Sequence, residues 1–447
     1  MILTPFVEFI SSLLVKNITF WKNQRTRWKE FFESLKGNAK VMTLSEPAWA
    51  IPLTWVWFYL PLYMKELKLS TFQIGIVVAT GVIMQAICSL IGGIVADRFS
   101  HKKILIIFDT LGWPVSMIFF FFSKNFFHLI IATVINNLCM IVGPSWHCIL
   151  IEGSPENKRT NIYAFYQIIF NLSTLLIPIA GLIIKKAGII TGCRIIFAIT
   201  ALTTSCGIIA RWLFLKDTKL SIRNVKKKEQ HNFSLFSEID TFFKAFNKIP
   251  FLKSFLWFIV AQTLVWFGLT MRDTYSSIFL TSENGLELSA ATISILPFIT
   301  AIIMIVVMLF FIPHIKEKNF KIFIILGLLF TIISTVLYPV APKKILWLMA
   351  IAASISGAGN AFFRPLTDAY NVNAVPEKIR PRILSILNTM IICITIPAAP
   401  IAGKLFTFNP RLVFIFSSLI FTFAFLIVLI NCKFEIVKNN LSKKVDL

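Results

Sequence analysis

Gly357, Asn360, Arg364, Asp368 and Asn371 step by 3, 4, 4 and 3 residues inside a long apolar stretch, the spacing of one helix face. A charged side chain in such a stretch costs roughly 2.5–3.5 kcal/mol on insertion scales, so it faces a partner, a wet cavity or a solute. Arg364 and Asp368 stand one turn apart and can form a structural ion pair. Asn360 and Asn371 extend the polar face beyond one pair, which favours the other reading, a cavity lining that binds polar groups of a solute. A register shift of 221 residues carries Asp368 onto His147, Arg364 onto Gly143 and Gly357 onto Asn136. These three also share a helix face, and His147 reads either as a satisfied core histidine or as a proton carrier. Two carboxylates, Glu46 and Asp109, lie inside apolar stretches as well, with Trp49, Leu53 and Trp57 on the face of Glu46. Desolvation favours a neutral carboxylic acid, so both are candidates for carrying a proton. The competing readings are a helix-start anchor for Asp109 and a helix break at Ser45–Pro47 for Glu46.

The elements that must position these residues are membrane helices. Of 447 residues, 57% are hydrophobic and only 15% charged, and the mean hydropathy is +0.78. A soluble domain cannot hide that much apolar surface, so the chain reads as an all-α polytopic membrane protein. Twelve candidate spans follow one another: 38–61, 70–96, 104–122, 126–151, 160–183, 192–215, 252–280, 288–312, 320–340, 344–371, 382–403 and 411–432. They divide the chain into an amphipathic N-terminal segment (1–37), a first six-helix bundle (38–215), a basic linker with an amphipathic stretch (216–251), a second bundle (252–432) and a tail (433–447).

The net charge of +23 does not imply nucleic acid, because the basic residues sit at the ends of apolar runs. With both termini cytoplasmic, the inner loops carry roughly threefold more Lys and Arg than the outer ones, which orients the protein in the cell membrane and draws anionic lipid to its inner face. Arg211, near the inner end of the sixth span, is expected to snorkel to the interface. Arg272 and Asp273 are expected to form an outer gate or surface pair. The seven cysteines (88, 139, 148, 193, 206, 393 and 432) are scattered without metal-ligand spacing or a disulfide framework. No phosphate-binding loop and no nucleophile–base or metal constellation is present, so neither an enzyme nor a cofactor is expected. Residues 1–15 carry Glu8 and no preceding basic residue, which does not fit a cleavable signal peptide.

Between the second and third spans the chain reads Gly92-Gly93-Ile-Val-Ala-Asp97-Arg98-Phe-Ser100-His101-Lys102-Lys103. Gly93, Asp97, Arg98 and Lys102 resemble the loop between helices 2 and 3 of the major facilitator superfamily, with Ser100 and His101 departing from its usual Gly and Arg. Gly93 is expected to let helix backbones approach closely. The halves also repeat: Pro144, Pro155, Glu156 and Arg159 match Pro365, Pro376, Glu377 and Arg380 at a shift of 221, and Pro178-Ile-Ala-Gly181 echoes Pro400-Ile-Ala-Gly403. The resemblance implies two pseudo-symmetric six-helix bundles with substrate held between them. It also implies that Glu152 meets Arg98 or Lys102 as an inward gate latch. The reading is a monomeric carrier of a small organic solute working by alternating access, with protons as candidate coupling ion and a lean to efflux by antiport. Its rivals are a nutrient importer of a sugar or organic acid, and a non-transporting membrane receptor or lipid-handling protein.

Overall fold

The computed structural model describes residues 37–151, 159–217, 252–375 and 380–432. The expected amphipathic helix before residue 37, the linker stretch, the tail and Glu152 lie outside the described residues.

The described residues are helical, with no strand. A short helix, Gly37–Ser45, leads into α1, Pro47–Glu66. There follow α2, Thr71–Arg98, α3, His101–Phe122, α4, Phe126–Leu150, and α5, which includes Ile177–Ala187. The first bundle ends with α6, Ile189–Phe214. The second bundle holds α7, Leu252–Thr281, α8, Thr292–His314, α9, Phe320–Val340, and α10, Leu346–Ala374. It closes with α11, built from Arg380–Thr395 and Ala398–Phe408, and α12, Pro410–Asn431. Eleven of these helices are long and apolar enough to cross a membrane by length and composition. The exception is α1, whose Trp, Tyr and Pro residues lower its hydropathy.

Local chemistry sets the ends. Ser70 and Gln73 form a reciprocal capping box at the start of α2, at 3.1 and 2.9 Å. Ser100 caps α3 by accepting the Lys103 N–H at 3.2 Å, so Phe99 and Ser100 alone turn the chain. Glu46 keeps helical dihedrals and its carbonyl accepts from Trp49 and Ala50, both at 3.0 Å. The break expected at Ser45–Pro47 is thus a single turn residue, because Pro is tolerated in a first helical turn. Prolines also place matching kinks in the two bundles: α5 breaks before Pro178 and α11 at Pro397. Aromatics fill the core, with Tyr63, Phe120 and Phe197 in the first bundle and Phe279 and Phe414 in the second. Leu202 and Trp212 of α6 and Phe423 and Ile430 of α12 point outward, as a lipid-facing surface requires.

The bundles meet chiefly along two seams, α2 against α11 and α5 against α8, and α1 also touches α7. A Cβ on Gly75 would lie 2.5 Å from the Ala399 carbonyl oxygen, and one on Gly403 would lie 2.6 Å from that of Thr71. On the other seam, a Cβ on Gly181 would run into the Ser294 side chain and lie 3.0 Å from the Ala291 oxygen. Both Pro-Ile-Ala-Gly repeats therefore supply small residues where opposite halves touch. Among the described residues, the cross-bundle hydrogen bonds to oxygen gather at the Ser70 end, with one longer contact, Asn171 Nδ2 to Met308 Sδ at 3.6 Å, elsewhere on the α5–α8 seam. The Tyr59 hydroxyl donates to the Ala290 carbonyl (2.9 Å), Thr71 Oγ1 to that of Gly403 (2.9 Å), and the Tyr275 hydroxyl to that of Thr71 (2.7 Å).

The glycine expected to bring helices together in the loop motif is displaced by one residue. Gly93 has open space at its Cβ position, whereas a Cβ on Gly92 would lie 2.7 Å from the Ile141 carbonyl oxygen. The α2–α4 contact thus depends on Gly92, because the helix turns Gly93 away from α4.

Candidate functional site

Near one end of the first bundle, Arg211 gathers a buried polar cluster. Its guanidinium donates from Nη2 to Glu46 Oε2 at 2.9 Å, from Nη1 to Asp109 Oδ2 at 3.3 Å and from Nε to Ser45 Oγ at 2.9 Å. It also lies 3.7 Å above the centroid of the Trp49 ring. The snorkelling expectation is corrected: the Arg211 side chain is 3% exposed, because three polar partners and an indole satisfy it inside the bundle. Gly207, one turn earlier on α6, leaves room for Trp49; a Cβ there would meet the indole at 2.5 Å. Trp113 Nε1 donates to the other Asp109 oxygen at 3.2 Å. The group holds one cation and two carboxylates, so one carboxylate is in excess. A buried charge without a counter-charge is expensive, so this excess is a natural place for a proton or a cationic group.

The cluster borders a cavity of about 620 Å³. Glu46, Asp109, Trp49, Trp57 and Arg211 line it, and His147 and Gly143 of α4 face it from the opposite wall. Asn136, expected beside them, is not in the wall. It is 4% exposed and donates to the Gly112 carbonyl at 2.7 Å and to Ser116 Oγ at 3.2 Å. Its task follows from Pro114, which sits in a π-helical turn, Leu111–Val115, that disrupts the backbone ladder of α3. The side-chain amide from α4 joins the Ser116 hydroxyl, at 2.6 Å, as a second donor to the Gly112 carbonyl and so ties α4 to that turn.

The polar face of α10 divides among three surroundings. Arg364 and Asp368 are not within 4.0 Å of each other, so the ion pair that the one-turn spacing allows is not formed. Instead the Arg364 guanidinium lies 5.2 Å from the Trp266 ring centroid, and both residues line a cavity of about 270 Å³ with Gln262, Met304 and Met308. Asn371 is buried in the α7–α10 contact and donates to Gln262 Oε1 at 3.0 Å. Asn360 lines a third cavity, of about 300 Å³, which it shares with Trp57, Arg272 and Asp273. Gly357 is a packing residue, since a Cβ there would lie 2.5 Å from the Thr300 carbonyl oxygen. Arg272 and Asp273 are therefore not a surface pair: Arg272 is 7% exposed and donates to Asp273 Oδ1 at 2.9 Å.

In the loop motif, Asp97 and Arg98 are exposed. Lys102 donates from Nζ to the Leu215 carbonyl at 2.7 Å, and its backbone N–H lies 3.3 Å from Asp217 Oδ1, which also accepts from Ser100 Oγ. Asp217, just past α6, is thus a carboxylate partner of this loop that sequence reasoning missed. Arg211, expected to snorkel, was the larger misreading. An arginine within a span needs a counter-ion, and Glu46, Asp109 and Arg211 all lie one to two turns from the same end of their spans. That shared depth was the available signal.

Comparison with known proteins agrees with this architecture. Quinolone resistance protein NorA of Staphylococcus aureus (strain MRSA252) is 29% identical over 123 residues, which is 27% of this chain and 31% of that protein. The uncharacterized MFS-type transporter YqjV of Bacillus subtilis (strain 168) is 21% identical over 126 residues, 28% of this chain and 30% of that protein. The chain thus matches these relatives over under a third of their length. The nucleoside transporter NupG superposes with a TM-score of 0.68 at 16% identity, covering 88% of this chain and 99% of that one. The peptide transporter POT in complex with sulfate superposes at 0.67 and 14%, covering 90% and 96%. At these identities the two structures show the shared fold. The profile of the Major Facilitator Superfamily matches residues 49–340 and 318–443. Two seamed six-helix bundles and that match together make this chain a member of the Major Facilitator Superfamily.

Proposed function

We propose that the protein exports a small organic solute in exchange for protons by alternating access. One observation carries the reading: Arg211 joins Glu46 and Asp109 in a cavity wall with one carboxylate in excess. A proton on the excess carboxylate neutralises the cluster, and its departure restores an anionic wall that attracts the polar end of a solute. Trp49, Trp57 and Trp113 give the same cavity flat apolar faces suited to an aromatic ring. The name of the quinolone resistance relative supports an aromatic cargo of that kind and outward direction. Placing both termini in the cytoplasm, as the loop charges favour, puts the Ser70 end outside, so the seamed state takes up cargo from within. Arg364, Asp368 and Trp266 then offer the cargo a polar wall in the second bundle, and Asp97, Arg98 and Lys102 stand at the inner gate.

The test is reconstitution into liposomes with an acidic lumen and a fluorescent quinolone in the bath, with empty liposomes as blank. Accumulation above the blank is expected only while the lumen is more acidic than the bath. The Glu46→Gln/Asp109→Asn double variant should lose accumulation and keep quinolone exchange. Equal accumulation without a gradient, or an unaffected double variant, rejects proton exchange at this cluster. A reporter fused at Lys444 should read cytoplasmic; an external reading reverses the orientation.

A further inference from the structure

We propose that Asn38, Ser100, Lys102 and Asp217 form a register pin at the Ser100 end of the first bundle and are positioning residues for the Arg211–Glu46–Asp109 cluster. The geometry of the cluster is enough for this inference. Only its consequence for transport rests on the proton-exchange reading.

The pin closes on three consecutive residues, 215–217, just past α6. A helix leaves its last carbonyls without intrahelical donors. Here other elements supply them: Lys102 Nζ donates to the Leu215 carbonyl at 2.7 Å, and Asn38 Nδ2 to the Lys216 carbonyl at 2.7 Å. The Lys216 N–H donates to Asn38 Oδ1 at 2.9 Å, so one carboxamide holds both backbone groups of one residue. Asp217 Oδ1 then accepts from Ser100 Oγ and from the Lys102 N–H (3.3 Å) at the start of α3. The exchange between α3 and α6 is reciprocal. Lys102 brings a cation to the C-terminal end of α6, Asp217 brings an anion to the N-terminal end of α3, and each charge suits the dipole it meets.

The three segments pinned together are the three that carry the cluster. Asn38 stands about two turns before Ser45 and Glu46, and Lys102 about two turns before Asp109. Leu215 lies one turn after Arg211, and its N–H donates to the Arg211 carbonyl at 2.9 Å. Between pin and cluster the elements share one apolar core, in which Ala39, Met42, Leu105 and Leu215 are all buried, so a shift at one level passes to the next. A slip of one residue rise between α3 and α6, about 1.5 Å, is enough to take the 3.3 Å contact of Arg211 Nη1 with Asp109 Oδ2 out of hydrogen-bond reach. The four pin residues are only partly buried or exposed. A surface junction thus sets a buried charge cluster that it does not touch, and whatever displaces residues 215–217 loosens that cluster.

The test uses the purified full chain without cargo or gradient. Asn38→Ala changes no charge and lies outside the cavity wall. Its loss in melting temperature is measured in the wild-type background and in the Arg211→Gln/Glu46→Gln/Asp109→Asn background, where no ion pair remains to be placed. Changes at separate sites without a shared partner ordinarily add, so a purely local cap forecasts equal losses. A register pin forecasts a loss at least halved in the neutral background. The second readout is arginine modification by phenylglyoxal, followed residue by residue by mass spectrometry. Arg211 should react several-fold faster in Asn38→Ala than in wild type, while buried Arg272 of the second bundle keeps its rate. Equal losses in the two backgrounds, or an Arg211 rate that rises no more than that of Arg272, overturn the inference. Additive losses beside intact gradient-driven quinolone accumulation remove the pin alone, and coupled losses without accumulation remove proton exchange alone.

Discussion

Arg211 allows a forecast with opposite signs for its partners. The cluster is one cation against two carboxylates, with side-chain exposures of 3% for Arg211, 21% for Glu46 and 6% for Asp109. Arg211→Gln leaves both carboxylates without their cation. Breaking a buried pair this way costs about 3–5 kcal/mol. The partial exposure of Glu46 screens its share, so the lower half of that range, about 3–4 kcal/mol, is expected. Asp109→Asn does the reverse. It forfeits a charge-assisted hydrogen bond worth about 1.5–3 kcal/mol. It also removes carboxylate–carboxylate repulsion, about 3 kcal/mol at ~5 Å and an effective dielectric of ~20. The two nearly cancel, so Asp109→Asn should sit within about 1 kcal/mol of wild type. The triple variant Arg211→Gln/Glu46→Gln/Asp109→Asn should regain most of the loss, since no charge is stranded. The assay is thermal melting followed by size-exclusion chromatography. An Arg211→Gln protein that melts like wild type, or an Asp109→Asn protein that falls as far, would refute the excess-carboxylate reasoning.

Three further outcomes follow from the packing and the loops. Gly75→Val puts a side chain where a Cβ alone lies 2.5 Å from the Ala399 oxygen, so the Ser70 end should part, and maleimide labelling of a Trp57→Cys background from that side should rise; unchanged labelling argues against the seam. Asn136→Ala removes the amide donor to the Gly112 carbonyl and should cost about 1–2 kcal/mol in melting experiments without changing quinolone affinity, so an affinity loss at full stability would return Asn136 to the cavity wall. Outside the membrane, Lys343 donates to Glu287 and Lys344 lies 3.6 Å from it, and the Lys343 hydrogen bond holds that carboxyl below its ordinary 4.5. A depressed acid stabilises the fold above the unfolded value and loses that contribution as pH falls through the folded one, so the melting gap between wild type and Glu287→Gln should shrink below pH 4.5; a gap independent of pH would contradict this.

Apolar run length and loop charge made the helices legible, because the bilayer demands about 20 apolar residues whatever they pack against. Repeats made the halves legible, and the glycines of both Pro-Ile-Ala-Gly segments prove to lie on the seams. Which way a face points was not legible. Asn136 shares a face with His147, yet one residue ties two helices and the other faces a cavity, since the choice depends on a π-helical turn in another helix. The α10 stripe is continuous in sequence and divided in space for the same reason: α1, α7 and α8 contribute different neighbours at each level. Gly92 and Gly93 could not be separated because a one-residue step turns a helix by about 100° and no spacing rule says where α4 lies. Arg211 was misplaced by reading distance from the span end alone, without asking which carboxylates lie at the same depth.

The seam glycines bear on how such a carrier can change over generations. Gly75 belongs to one half, and the backbone it nearly touches belongs to the other; Gly181 and the Ala291–Ser294 turn are arranged likewise. Each tight spot is thus a fit shared between the two repeated halves of the chain. A chimera joining the first six helices of this protein to the last six of a distant relative would bring Gly75 against a foreign α11. It would assemble only where the incoming helix leaves the same sub-residue gap on both seams. The two halves are therefore inherited as a matched set, although each looks like a self-sufficient bundle.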